Sequence, residues 1–492
     1  MEARLTIHTE QGMGTISKRL YGYFSEHLGR CIYEGTWVGE DSEIPNIEGI
    51  RTDVLEALRG LGIPVLRWPG GLFADTYHWR DGVGPRQERQ PIVNVFWGGN
   101  AESNQFGTHE YFRLCELLGC EPYLAVNMGS GSIQEMADWI EYLTYDGDSR
   151  MTKLRRANGR EKPWKLKYIG IGNEAWGGGG KMRPEYYADE FRRYACYCRS
   201  FAKEPFYKVA CGPYGGDTHW TEVLLERAGD MIDGMSLHYY TQREPHRGRA
   251  TGFGEDFWFD HMELAWKMDQ FLTDQDRVMS RYDPRKRIGL IVDEWGTSFE
   301  QEEGTNPRFL EQQNTLLDAL VACIHLNAFN EHNDRVHMAN LAQTVNVIQA
   351  VLLTKGPQMI KTPTYHVMEM FRPHHQAERV AINLRSPLYA YHGHTVQALT
   401  ASVSRHQSDE LFVTLGNCDP YCDIWLDVEA GAPARLCEGR VLTDSIWDAH
   451  NTFEDPDRLH PVPFDQVETT ESGCRILLPA KSVTALRLTL AQ

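Results

Sequence analysis

Tyr168-Ile-Gly-Ile-Gly-Asn-Glu-Ala-Trp176, followed by Gly177 to Gly180, is the stretch on which the fold turns. A short apolar run bounded by glycine reads as a buried strand. It stops at a carboxylate, Glu174, with an amide before it and an indole two residues after it. Strands of a parallel sheet are covered on both faces, and their C-terminal ends are where loops build sites. A single strand-end Glu is most often a solvated charge, so the weight falls on whether other strands end the same way.

They do. Upstream lie Leu20 to Gly29, Ile63 to Gly71 and Glu121 to Asn127; downstream lie Tyr207 to Gly212, Met231 to Tyr240, Arg287 to Trp295 and His337 to Val345. Helical patterns separate them. Val54, Leu58 and Leu61 share a face and stop at Gly62; His109 to Leu118 stops at Gly119. Ser132 with Glu135 reads as a capping box opening a helix through Leu143, and Pro184 as a first-turn proline of a helix to about Lys203. Helices are also expected over 258–280 and Leu310 to Phe329. Eight strand–helix units in about 350 residues predict an α/β fold, a (β/α)8 TIM barrel over 17–377. A doubly wound sheet would carry a glycine-rich phosphate loop after its first strand, and Glu26-His-Leu-Gly29 is not one.

From residue 378 to 492 short alternating runs lie between Pro, Asp and Gly turns, which predicts an all-β, jelly-roll-like sandwich. The alternating segment Ala3-Arg-Leu-Thr-Ile-His8 precedes the first barrel strand, so residues 1–16 are expected to join that sandwich. Residues 80–108 form a long aromatic, Gly-rich loop, expected to fold over the site as a lid with Trp97 as its contact.

Net charge is −18 and the isoelectric point near 5.5, which argues against nucleic acid and anionic membrane as partners. No run of 18 apolar residues occurs, so no membrane span is expected. Met1-Glu-Ala-Arg-Leu does not open a secretory signal, and the expected location is cytoplasmic. The 11 cysteines are scattered without paired C-x-x-C spacing, which predicts free thiols.

A barrel places one set of polar residues on one rim: Glu26 and His27, Arg67 and Trp68, Asn127, Asn173 and Glu174, His238 and Tyr240, Asp293 and Glu294, Asn340 and Gln343. Glu174 and Glu294 end the fourth and seventh strands, each followed by an aromatic, Trp176 and Trp295. Two carboxylates flanking a bond are what glycoside hydrolysis needs, one as proton donor and one as nucleophile or base. Aromatic faces suit sugar rings. No H-E-x-x-H spacing supports a metal site, and neither metal nor cofactor is expected.

Phe24-Ser-Glu-His-Leu-Gly-Arg30, Arg67-Trp-Pro-Gly-Gly71, Gly170-Ile-Gly-Asn-Glu174, Ser236-Leu-His-Tyr-Tyr240, Asp293-Glu-Trp-Gly296 and Asn340 to Val347 resemble the signatures of glycoside hydrolase family 51. Its members are mostly α-L-arabinofuranosidases. The resemblance runs through the whole chain and implies a retaining mechanism, intracellular homohexamers and no catalytic metal. It implies that Glu174 is the acid/base and Glu294 the nucleophile. It further implies that Asn173 holds the sugar 2-hydroxyl, Glu26 binds furanose hydroxyls, His238 and Tyr240 orient the nucleophile, and Gln343 closes the sugar pocket. Two departures stand out: Leu72 where many relatives have Asn or Cys, and Ser298 where close relatives often have an aromatic. The alternatives kept open are an endo-β-glucanase or β-xylosidase on the same scaffold, and a sugar-binding barrel without catalysis.

Overall fold

A computed structural model describes residues 1–491 of the 492. Strand β1 (Glu2–Thr15) comes first. The eight barrel strands follow: β2 (Gly22–Phe24), β3 (Val65–Trp68), β4 (Glu121–Val126), β5 (Tyr168–Ile171), β6 (Tyr207–Ala210), β7 (Gly234–Thr241), β8 (Gly289–Thr297) and β9 (Val336–Ala342). Each is parallel to its neighbours in sequence order, and β9 closes onto β2. The helices are α1 (Thr52–Leu61), α2 (Thr108–Leu118), α3 (Ile133–Thr144), α4 (Arg150–Ala157), α5 (Pro184–Tyr197), α6 (Thr218–Ala228), α7 (Glu255–Tyr282), α8 (Leu316–Glu331) and α9 (Pro363–Met370).

The barrel interior is filled in layers by alternate residues of the strands. Val65, Tyr123, Tyr168, Val209, Ile291 and Met338 form a buried apolar plug. Two residues further along their strands, Arg67, Asp293 and Asn340 form a buried polar layer. Asp293 accepts from Tyr123 Oη at 2.7 Å and from Asn340 Nδ2 at 2.8 Å. The plug ends there, and the rim above it is open to ligand.

The C-terminal part adds β10 (Glu378–Arg385), β11 (Leu399–Arg405), β12 (Glu410–Asn417), β13 (Ile424–Glu429), β14 (Ala434–Thr443), β15 (Gly473–Leu478) and β16 (Ser482–Leu490). With β1 and two short edge strands they make a ten-stranded sheet. Strand β1 lies inside it, antiparallel to β10 and parallel to β13, with Ala3, Leu5 and Ile7 buried as their alternation requires. The sheet folds over, so Thr469 near one end donates to Ala434 O of β14 near the other at 3.2 Å. Helix α8 is buried on all sides because it is clamped between barrel and sheet. Phe329 packs against Trp295 of the barrel, while Asn327 and Asn330 bond to Thr400 and Ser402 of the sheet.

Three local expectations change. Helix α8 starts at Leu316, not Leu310, because the Thr315 hydroxyl and the Asp318 carboxylate cap it there. Helix α5 ends at Tyr197, short of Lys203. Ser132 caps α3 through Glu135 N, but the Glu135 carboxylate turns to His78 Nδ1 at 3.0 Å instead of closing a capping box.

Candidate active site

Glu174 and Glu294 are delivered by different backbone devices. After β5 the chain turns at Gly172, whose φ of +84° suits glycine, and this lifts Asn173 and Glu174 over the barrel mouth. In β8 the pairing with β7 slips by one residue: Leu237 faces Val292, but His238 faces Glu294. This bulge lets the consecutive residues Asp293 and Glu294 both point inward, Asp293 into the polar layer and Glu294 to the rim. It also turns Trp295 outward, where it is buried against His325 and Phe329. Trp295 is therefore packing, and of the two aromatics that follow the carboxylates only Trp176 lines the cavity.

One carboxylate oxygen each of Glu174 and Glu294 and a ring nitrogen of His238 lie within 4.8 Å of one another. Arg67 Nη1 donates to Glu294 Oε1 at 2.8 Å and Nη2 donates to Asn173 Oδ1 at 2.5 Å. Tyr240 Oη donates to Glu294 Oε2 at 2.8 Å. His238 Nδ1 is 3.0 Å from Glu174 Oε1 and 3.6 Å from Glu294 Oε2. Burial opposes the charge on Glu294, but His238, Arg67 and Tyr240 together hold its pKa below the usual carboxylate range. Burial alone would lower His238, yet Glu294 and Glu174 raise it above its ordinary value. Glu174, His238 and Glu294 have the donor types of a cation site, but the adjacent guanidinium of Arg67 already supplies positive charge to Glu294.

Glu26 faces this group across the cavity. Its Oε1 accepts from Gly71 N, Phe73 N and Trp97 Nε1, each at 3.0 Å, and its Oε2 from Gln343 Nε2 at 3.2 Å. Burial and the Glu294 charge raise its pKa to about 7. Asn173 Nδ2 is buried with no partner, a free donor between Glu294 and the cavity. Gln343 is fully buried and grips both the side chain and the backbone N of Glu26. It stands behind the cavity wall, as does His238, whereas Glu26, Leu72, Trp97, Asn173, Glu174, Tyr240 and Glu294 line a cavity of about 570 Å³. Trp97 arrives on a short hairpin, Ile92–Val93 with Ala101–Glu102, tied down by Asn94 donating to His27 O at 2.7 Å. Asn127 faces elsewhere, bonding to Tyr77 O and Ser130.

Profiles of an "Alpha-L-arabinofuranosidase 1 domain" and an "Alpha-L-arabinofuranosidase C-terminal domain" match residues 57–257 and 293–482. An intracellular exo-α-L-arabinofuranosidase of Bacteroides ovatus is 46% identical over 490 residues, 99% of this chain and 95% of that protein. The chain belongs to the family of α-L-arabinofuranosidases. The crystal structure of a GH51 arabinofuranosidase from Xanthomonas axonopodis pv. citri is 43% identical and superposes with a TM-score of 0.97, covering 99% of this chain and 100% of that one. An α-L-arabinofuranosidase from Thermotoga maritima, solved with arabinose, gives 0.87 at 29% identity over 99% and 100%. The barrel, the sandwich and the family 51 resemblance are thus confirmed together.

Several residues in the cavity wall or behind it were not singled out in the sequence. Asp75 Oδ1 accepts from Met128 N and Gly129 N at 3.2 and 3.0 Å, while Oδ2 is buried without a partner. Burial raises its pKa to about 7. Tyr214, Arg247, Lys267, Phe271, Leu310 and Ile348 line the cavity from loops and from α7. None sits at a strand end, so the strand-end rule could not find them. Leu72 and Ser298 both line the cavity, and Ser298 Oγ accepts from Arg247 Nη1 at 3.0 Å.

Proposed function

We propose that this chain releases terminal non-reducing α-L-arabinofuranosyl residues from arabinose-containing oligosaccharides such as those of arabinoxylan and arabinan. Glu294 attacks the anomeric carbon while Glu174 protonates the departing oxygen. Glu174 then takes a proton from water, which displaces the glycosyl ester. The observation that carries this reading is the approach of the two carboxylates within 4.8 Å. Double displacement needs a separation of about 5–5.5 Å, and an inverting enzyme needs about 6.5–9.5 Å to hold a water between them. Arg67, Tyr240 and His238 keep Glu294 ionised for attack. Asn173 offers its free Nδ2 to the sugar 2-hydroxyl, and Glu26 and Trp97 hold the far side of the ring. Endo-glucanase and xylosidase readings are not favoured by relatives named arabinofuranosidases.

The test is the stereochemistry of the first product. Proton NMR during hydrolysis of an aryl α-L-arabinofuranoside should show the α-anomer first. Initial β-arabinose, or no arabinose, would sink the proposal. We further propose a cytoplasmic homohexamer. Its support is the family resemblance and a relative named intracellular, and light scattering of the purified chain decides the assembly.

A further inference from the structure

The wall on the Glu174 side of the cavity, where the leaving oxygen departs, differs from the Glu26 side. Trp176, Tyr214, Tyr239 and Phe271 run along it with successive ring centroids 5.8, 6.3 and 4.9 Å apart. Leu264, Lys267 and Phe271 share one face of α7 and reach the cavity together. Arg247 stands at the same wall with Nη1 on Ser298 Oγ at 3.0 Å, four residues beyond Glu294. Among the described residues neither Arg247 nor Lys267 has a carboxylate within 4.0 Å. Glu244, also on this wall, is turned to Gln242 Nε2 at 2.7 Å.

A half-buried arginine without a carboxylate partner is uncommon company for a chain of net charge −18. Its planar fork matches a carboxylate and binds it bidentately. Ser298 fixes one arm of that fork. Lys267 adds a mobile point charge at the outer edge.

We propose that the leaving-group side of this site recognises a carboxylate, so that the preferred substrates carry a uronic acid beside the arabinofuranosylated sugar. Arg247 is the specificity-determining residue, Ser298 positions it, and Lys267 supports it. The aromatic wall takes the apolar face of the sugar ring. This inference rests on the arabinofuranosidase reading and refines its substrate class.

The experiment compares 4-carboxyphenyl α-L-arabinofuranoside with its methyl ester, which has the same ring and no charge. The ratio of the two kcat/KM values is measured for the wild type and for Arg247→Ala, Arg247→Lys and Lys267→Ala. Taking the ratio within each protein cancels any general loss of folded enzyme, and comparing the ratios between proteins cancels the difference in leaving-group acidity. Arg247→Ala should lower the acid-to-ester ratio about tenfold, the scale of one charge-assisted hydrogen bond. Arg247→Lys should restore part of it, and Lys267→Ala should lower it less. Added salt should lower the wild-type ratio more than that of Arg247→Ala. A ratio unmoved by Arg247→Ala overturns the inference while leaving arabinofuranosidase activity intact. Failure of the wild type to cleave either glycoside overturns both readings.

Discussion

His238 and Glu294 face each other across the bulge between β7 and β8, with Nδ1 3.6 Å from Oε2. The imidazole, with Arg67 and Tyr240, holds the pKa of Glu294 down against its burial, and the carboxylate in turn raises that of the imidazole. Each charge therefore depends on the other. In the proposed mechanism Glu294 must be ionised to attack, so the acid limb of kcat/KM should follow its titration. Replacing His238 with Gln removes the cation, raises the pKa of Glu294 and moves the acid limb to higher pH. A pH profile on an aryl arabinofuranoside reads this directly, and an acid limb left at its wild-type position would refute the electrostatic role.

Glu294→Ala should lower turnover by at least about 10⁴-fold, because no group remains to form the ester. Glu174→Ala should cost about 10²–10⁴-fold on substrates with poor leaving groups. With an activated aryl leaving group, azide should restore Glu174→Ala by yielding the glycosyl azide, and should do nothing of the kind for the wild type. Equal azide response in the two proteins would show that Glu174 is not the acid/base.

Trp97 touches Glu26 through one indole N–H, while two backbone donors hold the same oxygen. Loss of that N–H alone costs about 0.5–1.5 kcal/mol, so Trp97→Phe should raise KM about 3- to 10-fold. Trp97→Ala also removes the ring from the cavity wall and should raise KM further, with kcat changed less. An unchanged KM in Trp97→Ala would show that the hairpin does not reach the bound sugar.

Asp75 predicts a pH dependence of stability. Its pKa is raised to about 7 in the folded chain, above its ordinary unfolded value. The folded state therefore holds the proton more tightly. That contribution is complete below about pH 4 and is lost as pH rises through about 7, amounting to as much as about 4 kcal/mol. Asp75→Asn keeps an oxygen for Met128 N and Gly129 N and has no charge to bury. Chemical denaturation at pH 4.5 and pH 8 should show the variant gaining stability relative to the wild type at the higher pH. Parallel behaviour of the two proteins would remove Asp75 from the account.

Legibility in the sequence followed the range of the physics. All eight barrel strands were visible because burial on both faces leaves mainly apolar runs bounded by turn residues, and Glu174 and Glu294 were singled out because strand ends define one rim. The bulge at Asp293 was invisible. Which of two adjacent residues points inward depends on pairing with β7 and β9, not on the strand's own pattern. The outward packing of Trp295 has the same cause. Gln343 and His238 stand behind the cavity wall, and that position depends on Glu26 and the two carboxylates they touch. Arg247 and Phe271 come from segments whose approach is set by long-range packing, and no local signal marks them.

Gly71 gives the sharpest structural test. A Cβ built there would stand 2.7 Å from Glu294 Oε1, 3.4 Å from Phe24 Cζ and 3.5 Å from Asn173 Nδ2. Glu294 cannot swing aside, because Arg67 and Tyr240 hold both its oxygens. The φ of Gly71 is −84°, so alanine does not meet the left-handed penalty, and the nearest atom that its Cβ meets is the carboxylate oxygen. Gly71→Ala should therefore fold, yet displace Glu294 by several tenths of an ångström or break its hydrogen bond to Arg67. Misplacement of a reacting group by about 1 Å can cost about 10²-fold in rate. The variant should lose activity on that order in kcat, with a far-ultraviolet circular dichroism spectrum and melting temperature close to wild type. Full activity in Gly71→Ala would mean that Glu294 does not hold the position described, and a large drop in melting temperature would place the conflict in the fold instead of in the nucleophile.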